Sequence, residues 1–284
     1  MKAMMAVIKM LAALVMMAVL GATVWLVSEL RSEAVVPRLE AVEVTGEGAP
    51  LVDPGELAFE RAAELLAMAE VEEAREKLEF VVGVYPGSAS AGEARRILGE
   101  LNLDELLSTD VMDGKLVHEV ERGDTFLGIA ARYETTLDCI MHLNNLQRMD
   151  RLYPGDELVV MPLNFNVRVD VERRLLNLMR EGRFLKVYEL ADVRVREGAR
   201  GTVHTIVEQK MGMVGDEMVA VMHEGYRSAE KVLTLARTGL QIREVADVSE
   251  EEPGRGIYLR GPQMEELALL LRVGNEVEIR YGGN

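Results

Sequence analysis

Residues 116–162 read LVHEVERGDTFLGIAARYETTLDCIMHLNNLQRMDRLYPGDELVVMP, and the division of the rest of the chain follows from this stretch. A short alternating strand, Val117 to Val120, runs into Arg122-Gly123-Asp124-Thr125. Glycine permits the turn there, and Asp124 or Thr125 can cap a following helix. Phe126, Ile129, Ala130 and Tyr133 then fall at helical spacing. After Glu134-Thr135-Thr136 a second helix places Leu137, Ile140 and Met141 on one face and ends at Leu143-Asn144-Asn145. Tyr153-Pro154-Gly155-Asp156 makes another turn, and Leu158-Val159-Val160 is a closing strand. The predicted order is strand–helix–helix–strand.

Upstream, Met10 to Val27 contains 18 residues without a charge. At about 1.5 Å per helical residue this comes close to a hydrocarbon core of roughly 30 Å. Lys2 and Lys9 precede the run and Trp25 sits near its far end, which predicts the N-terminus inside and the body outside. A cleaved signal peptide is the alternative, but Val24-Trp25-Leu26-Val27 resumes the apolar run beyond Gly21-Ala22. The expectation is a signal anchor over 1–28 and a Pro/Gly-containing tether over 29–53. From Pro54 to Asp104 the pattern is helical, with Leu57, Ala62, Leu65, Leu66 and Ala69 followed by Val71, Ala74, Leu78, Val81 and Val82. Ser90-Ala91-Gly92-Glu93 offers a capping box for a third helix through Leu101. Ala74, Leu78, Val81 and Pro86 resemble the second half of a tetratricopeptide repeat. Only one such unit is visible, so 54–104 reads as a local helical hairpin rather than a solenoid.

Composition narrows the function classes. Of 284 residues, 32 are Lys or Arg and 48 are Asp or Glu, a net charge of −16. Such a chain is poorly suited to nucleic acid or any other polyanion. The single cysteine, Cys139, cannot form an internal disulfide, and no multi-cysteine metal motif is possible. It reads as a core residue of the second helix, without chemistry of its own. His118, His142, His204 and His223 have no mutual metal-ligand spacing, and no cofactor is expected.

The segment 115–162 resembles a LysM domain: the Gly-Asp-Thr turn, Ile129-Ala130, the Asn144-Asn145 doublet and the Tyr-Pro-Gly turn stand at that family's spacing. The resemblance implies binding of N-acetylglucosamine polymers, in bacteria the glycan of peptidoglycan. The implied groove lies between Gly123-Asp124-Thr125-Phe126 and Asn144-Asn145 with Leu152-Tyr153-Pro154-Gly155. A neutral acetamido sugar needs backbone donors and acceptors over an apolar floor rather than a charge field. The segment carries five basic and eight acidic residues, which suits such a ligand better than a polyanion. Gly123, Thr125, Asn144 and Pro154-Gly155 are also residues that turns and caps need without any ligand.

From Leu163 the chain becomes strand-rich. Phe165, Val167, Val169 and Val171 alternate with polar residues, and Leu175–Arg180 and Arg183–Leu190 flank the hairpin signal Glu181-Gly182. Further alternation occurs at 203–207 and 218–221. Gly261-Pro262 starts a helix, and a last strand spans 276–281. The opening NVRVDVERRLLNLMREGRFLKVYEL and the ending IYLRGPQMEELALLLRVGNEVEIRY resemble the L,D-transpeptidase catalytic domain over 163–284. That family attacks a peptide carbonyl with a cysteine assisted by histidine. Here the matching register puts Gly256 or Ile257 at the cysteine position and Tyr258 at the arginine position. His223-Glu224-Gly225 and Ser228 depart from the family's spacing.

The expected architecture is multidomain α+β: an N-terminal transmembrane helix, a TPR-like helical hairpin, a βααβ LysM module and a β-rich transpeptidase-like domain. The expected function is a bacterial single-pass cytoplasmic-membrane protein that binds peptidoglycan glycan and has no catalytic residues of its own. The alternative is a divergent transpeptidase or hydrolase with an unrecognised nucleophile. Besides glycan and membrane, another envelope protein recruited by the helical hairpin is a candidate partner.

Overall fold

The computed structural model describes residues 53–148, 152–245 and 254–282. The anchor expected over 1–28 and the tether up to residue 52 lie outside the described residues. Among the described residues no helix is long and apolar enough to cross a membrane.

Three helices come first: α1 (Pro54–Ala67), α2 (Val71–Val84) and α3 (Ala91–Leu107). The Asp53 side chain accepts from the Gly55 N–H at 2.9 Å and proline occupies the first turn, so α1 starts with a capped end. Ala62, Leu78, Val81, Ala91, Ala94 and Leu98 form the small core of this unit. The capping box expected at Ser90 does not form. Ser90 is already helical (φ −82°, ψ −9°), and its hydroxyl faces Ser88 Oγ at 3.0 Å and the Gly55 carbonyl at 3.4 Å. The third helix also continues past Leu101, because Leu103 and Leu106 are buried in the core of the β-domain. Asn102 Nδ2 donates to the Leu185 carbonyl at 3.0 Å there, and Lys186 reaches Glu100 at 2.6 Å.

The next unit is β1 (Leu116–Glu119), α4 (Phe126–Arg132), α5 (Leu137–Leu143) and β2 (Glu157–Val160). β1 and β2 pair antiparallel, from Leu116↔Val160 to Glu119↔Glu157. Val120, Phe126, Ile129, Ala130, Leu137, Ile140, Leu158 and Val160 make its own core.

The remaining strands are β3 (Phe165–Asp170), β4 (Leu175–Arg180), β5 (Arg183–Glu189), β6 (Asp192–Arg194), β7 (Thr202–Val214), β8 (Glu217–Ala220), β9 (Glu230–Leu235), β10 (Gln241–Glu244), β11 (Gly256–Leu259) and β12 (Glu276–Arg280). Helix α6 (Gly261–Leu270) lies between the last two. They form one sheet in the order β5-β4-β3-β12-β7-β9-β10-β11-β6, with β8 paired to β7. The β4–β5 turn takes Glu181 and Gly182 at φ +51° and +78°, the left-handed geometry of a tight hairpin. The parallel pairings are β12 with β3 and β10 with β11.

The β1–α4–α5–β2 unit does not sit apart from this sheet. Cys139 and Leu143 of α5 belong to the same core as Met161, Leu163, Phe165 and Leu267. Polar contacts frame that seam. Lys210 of β7 approaches Asp138 at 2.7 Å, Tyr226 Oη donates to Asp138 at 3.2 Å, and Arg272 pairs with Glu134 at 3.2 Å.

Candidate functional site

The two loops named from the sequence meet beyond the end of the β1–β2 pair. The Val120 N–H donates to the Asp156 carbonyl and the Gly155 N–H to the Val120 carbonyl, both at 2.8 Å. These bonds carry the ladder past the strands and hold the Tyr153–Asp156 turn beside the one that begins at Glu121. The Asp156 carboxylate accepts from the Tyr153 N–H at 2.9 Å and closes its own turn. Gly123 and Gly155 take φ +99° and +93°, values that only glycine adopts without strain, and nothing stands within 4 Å of an added Cβ at either.

The side chains of the named residues divide into two sets. Gly123, Thr125, Asn145, Tyr153, Pro154 and Gly155 face solvent, and Leu152 is half-buried against the unit's core. Thr125 Oγ1 accepts from the Gly128 N–H at 3.0 Å, so it is the helix cap. Asp124, Phe126 and Asn144 turn inward instead. Phe126 is a core residue. Asn144 Nδ2 donates to the carbonyls of Ile140 (2.7 Å) and Val159 (2.8 Å), while Oδ1 accepts from the Val159 N–H (2.8 Å). Its amide therefore ties α5 to the outer edge of β2 and leaves little capacity for a ligand. Asp124 is spent on the Glu121 N–H, His118 and Arg132. The Glu121 bond, then the His118 bond and the Arg132 charge, hold its carboxyl below the usual carboxylate range.

Leu127 was missed. It is 53% exposed on the first turn of α4, and Tyr153 on the opposite loop is 57% exposed. With Phe126 packed inward, these two supply the exposed apolar surface of the loops. The helical period that sends Phe126, Ile129 and Ala130 inward also sends Leu127 outward, so the signal was present in the sequence. His118, for which the sequence indicates no role, is buried between Asp124 and Tyr133.

Cys139 is fully buried, and burial pushes its thiol up to about 11. Gly256 lies within β11 between Gln241 of β10 and Arg194 of β6. A Cβ there would stand 3.0 Å from the Gln241 carbonyl oxygen and 3.2 Å from the Tyr258 ring. Ile257 and Tyr258 are buried, and Tyr258 Oη donates to the Gly254 carbonyl at 2.5 Å. His223 Nδ1 accepts from the Gly225 N–H at 3.0 Å, and Ser228 Oγ donates to the Gly225 carbonyl at 3.3 Å. Both cap the short 3-10 turn Glu224–Ser228. Among the described residues no three His, Cys, Asp or Glu side chains gather as a metal site.

Among curated proteins no relative matches the chain. Several solved structures overlap part of it. The Ldtfm–avibactam carbamoyl enzyme is 16% identical with a TM-score of 0.30, over 46% of this chain and 53% of that one. An L,D-transpeptidase from Mycobacterium smegmatis is 10% identical with a TM-score of 0.31, over 44% and 63%. An Enterococcus faecium L,D-transpeptidase is 12% identical with a TM-score of 0.29, over 64% and 82%. The chain thus spans little more than half to under two thirds of the first two. Residues 118–160, from the buried imidazole of β1 to the last residue of β2, match the model of the LysM domain family.

Proposed function

We propose that this chain binds peptidoglycan by gripping N-acetylglucosamine-containing glycan with the 118–160 unit. The observation that carries the reading is the match of residues 118–160 to the LysM family. The geometry is compatible with it: two glycine-containing turns are clamped together at Val120, with Leu127 exposed on the first turn of α4 and Tyr153 exposed on the other turn. Such a site offers backbone polar groups and apolar contact to a neutral acetamido sugar. Met10–Val27 anchors the chain in a bacterial cytoplasmic membrane, with the body in the periplasm or cell-wall space. One binding unit gives modest affinity, and tethering compensates by raising the local concentration.

The C-terminal domain serves as a non-catalytic, transpeptidase-like body. What supports this is chemical: the position matched to the nucleophile is Gly256 or Ile257, neither of which can attack, a Cβ at Gly256 would stand 3.0 Å from the Gln241 carbonyl oxygen, and the chain's one thiol is buried. Retention on purified sacculi tests the binding claim, with Tyr153→Ala and Leu127→Ala beside the wild type. Wild-type retention that falls roughly tenfold in the double variant is expected. Equal retention of both, or none of either, overturns the reading. Muropeptide incubation tests the second claim: release or exchange of terminal D-alanine above a blank overturns it.

A further inference from the structure

A carboxylate holds the Gly123–Thr125 turn, and a buried imidazole holds that carboxylate. Asp124 Oδ2 accepts from the Glu121 N–H at 2.9 Å and lies 2.9 Å from His118 Nε2. Its Oδ1 accepts from Arg132 at 3.1 Å. On the other side of the ring, His118 Nδ1 lies 3.1 Å from Tyr133 Oη, with the two rings edge to face. His118 belongs to β1, Asp124 to the turn, and Arg132 and Tyr133 to the end of α4. One imidazole therefore joins all three pieces. Only 5% of the His118 side chain and 8% of that of Asp124 are exposed.

The polarity of this chain of bonds is fixed by its ends. An ionised carboxylate only accepts, so Nε2 carries the hydrogen. Nδ1 of the neutral ring is then an acceptor, and the Tyr133 hydroxyl donates to it. Adding a proton at Nδ1 sets two donors face to face, so the Tyr133 hydroxyl can no longer donate to the ring. The other charges nearby are Glu121, whose backbone already serves Asp124, and Glu119 and Glu157. Those two oppose each other across β1–β2, while Leu158 opposes His118.

We infer that His118 is the positioning residue of the glycan turn, and that its protonation state is read out as glycan affinity. This rests on the glycan-binding reading above and adds a regulatory input to it. Neutral His118 keeps α4, β1 and the turn in one arrangement. The imidazolium gives up the Tyr133 bond and loosens the end of α4 against the turn.

The test is calorimetric titration of the full-length protein with tetra-N-acetylchitotetraose between pH 5 and 8, alongside NMR of the Gly123 and Thr125 amides. Losing one neutral hydrogen bond predicts affinity roughly threefold to tenfold weaker in acid. His118→Gln keeps an amide donor for Asp124 but does not titrate, so its profile is flat. Tyr133→Phe keeps the ring and removes the hydroxyl, and it also flattens the profile. The same pH slope in wild type and His118→Gln overturns the inference. So does an imidazole that titrates while the Gly123 and Thr125 amides stand still. If the wild type binds no oligosaccharide at any pH, the glycan reading fails, and the amide titration still decides whether His118 governs the turn.

Discussion

Replacing Asp138 by alanine removes the carboxylate that meets Lys210 across the seam between α5 and the sheet. The pair is 2.7 Å apart, with 4% of the lysine side chain and 23% of the aspartate exposed. At an effective dielectric of about 20, the gross attraction at that distance is about 6 kcal/mol, and desolvation offsets several kcal/mol of it. Removing one partner of a buried pair costs roughly 3–5 kcal/mol, because the surviving charge stays buried. Two features reduce that figure here. Lys210 Nζ retains the Ala268 carbonyl at 2.6 Å, and the aspartate side of the pair is partly hydrated. The expected cost is therefore about 2–3 kcal/mol, or a fall in Tm of roughly 5–10 °C for a body of this size. The assay is urea unfolding of the purified protein followed by far-ultraviolet circular dichroism. It is run on Asp138→Ala, Lys210→Met and the double variant, with Tyr226→Phe as a control for the other bond to Asp138. Coupling requires the double variant to recover at least about 1.5 kcal/mol relative to the sum of the singles. Costs that add to within about 0.5 kcal/mol refute the view that this ion pair holds the seam.

Four further outcomes follow from the geometry. Cys139, with its thiol near 11, reacts with a disulfide reagent at pH 8 only once denaturant opens the core; labelling of the native protein at the denatured rate contradicts its placement. Gly256→Cys destabilises by roughly 1–3 kcal/mol, because the new side chain meets the Gln241 carbonyl and the Tyr258 ring; a thermal melt reads this, and muropeptide exchange by the variant would contradict the crowding argument. Asn144→Ala costs about 2–3 kcal/mol by stranding the N–H and the carbonyl of Val159, read as a lower urea midpoint. Asp124 has a folded-state carboxyl held low, so its contribution is complete above the unfolded value of about 3.9 and is lost as pH falls through the folded one; Asp124→Asn should flatten that part of the acid unfolding curve.

The 116–160 unit was legible because nearly every marker in it has a separate local cause. Gly123 and Gly155 take positive φ, and Thr125 and Thr136 accept from the third backbone N–H of their helices. The Glu181-Gly182 hairpin was legible for the same reason. Side-chain direction inside the loops was harder. Asn144 and Asp124 carry polar groups that suit either a ligand or the backbone, and only the folded distances show the backbone taking them. Between 192 and 245 the local alternation marked strands at 203–207 and 218–221 but not the partners of β6 and β7. β6 pairs with β11 and β7 with both β12 and β9, and no local period encodes such registers. Ser90 misled because its hydroxyl had another partner in Gly55, far away in the chain.

The shared interior around Cys139 and Leu143 separates what is modular in the gene from what is modular in three dimensions. Cutting out residues 115–162 would expose those two side chains together with Met141, so the excised piece should prefer to self-associate. Conversely, a load applied along a captured sugar strand would pass directly into the sheet with no swivel between them, making the body a stiff handle rather than a hanging weight.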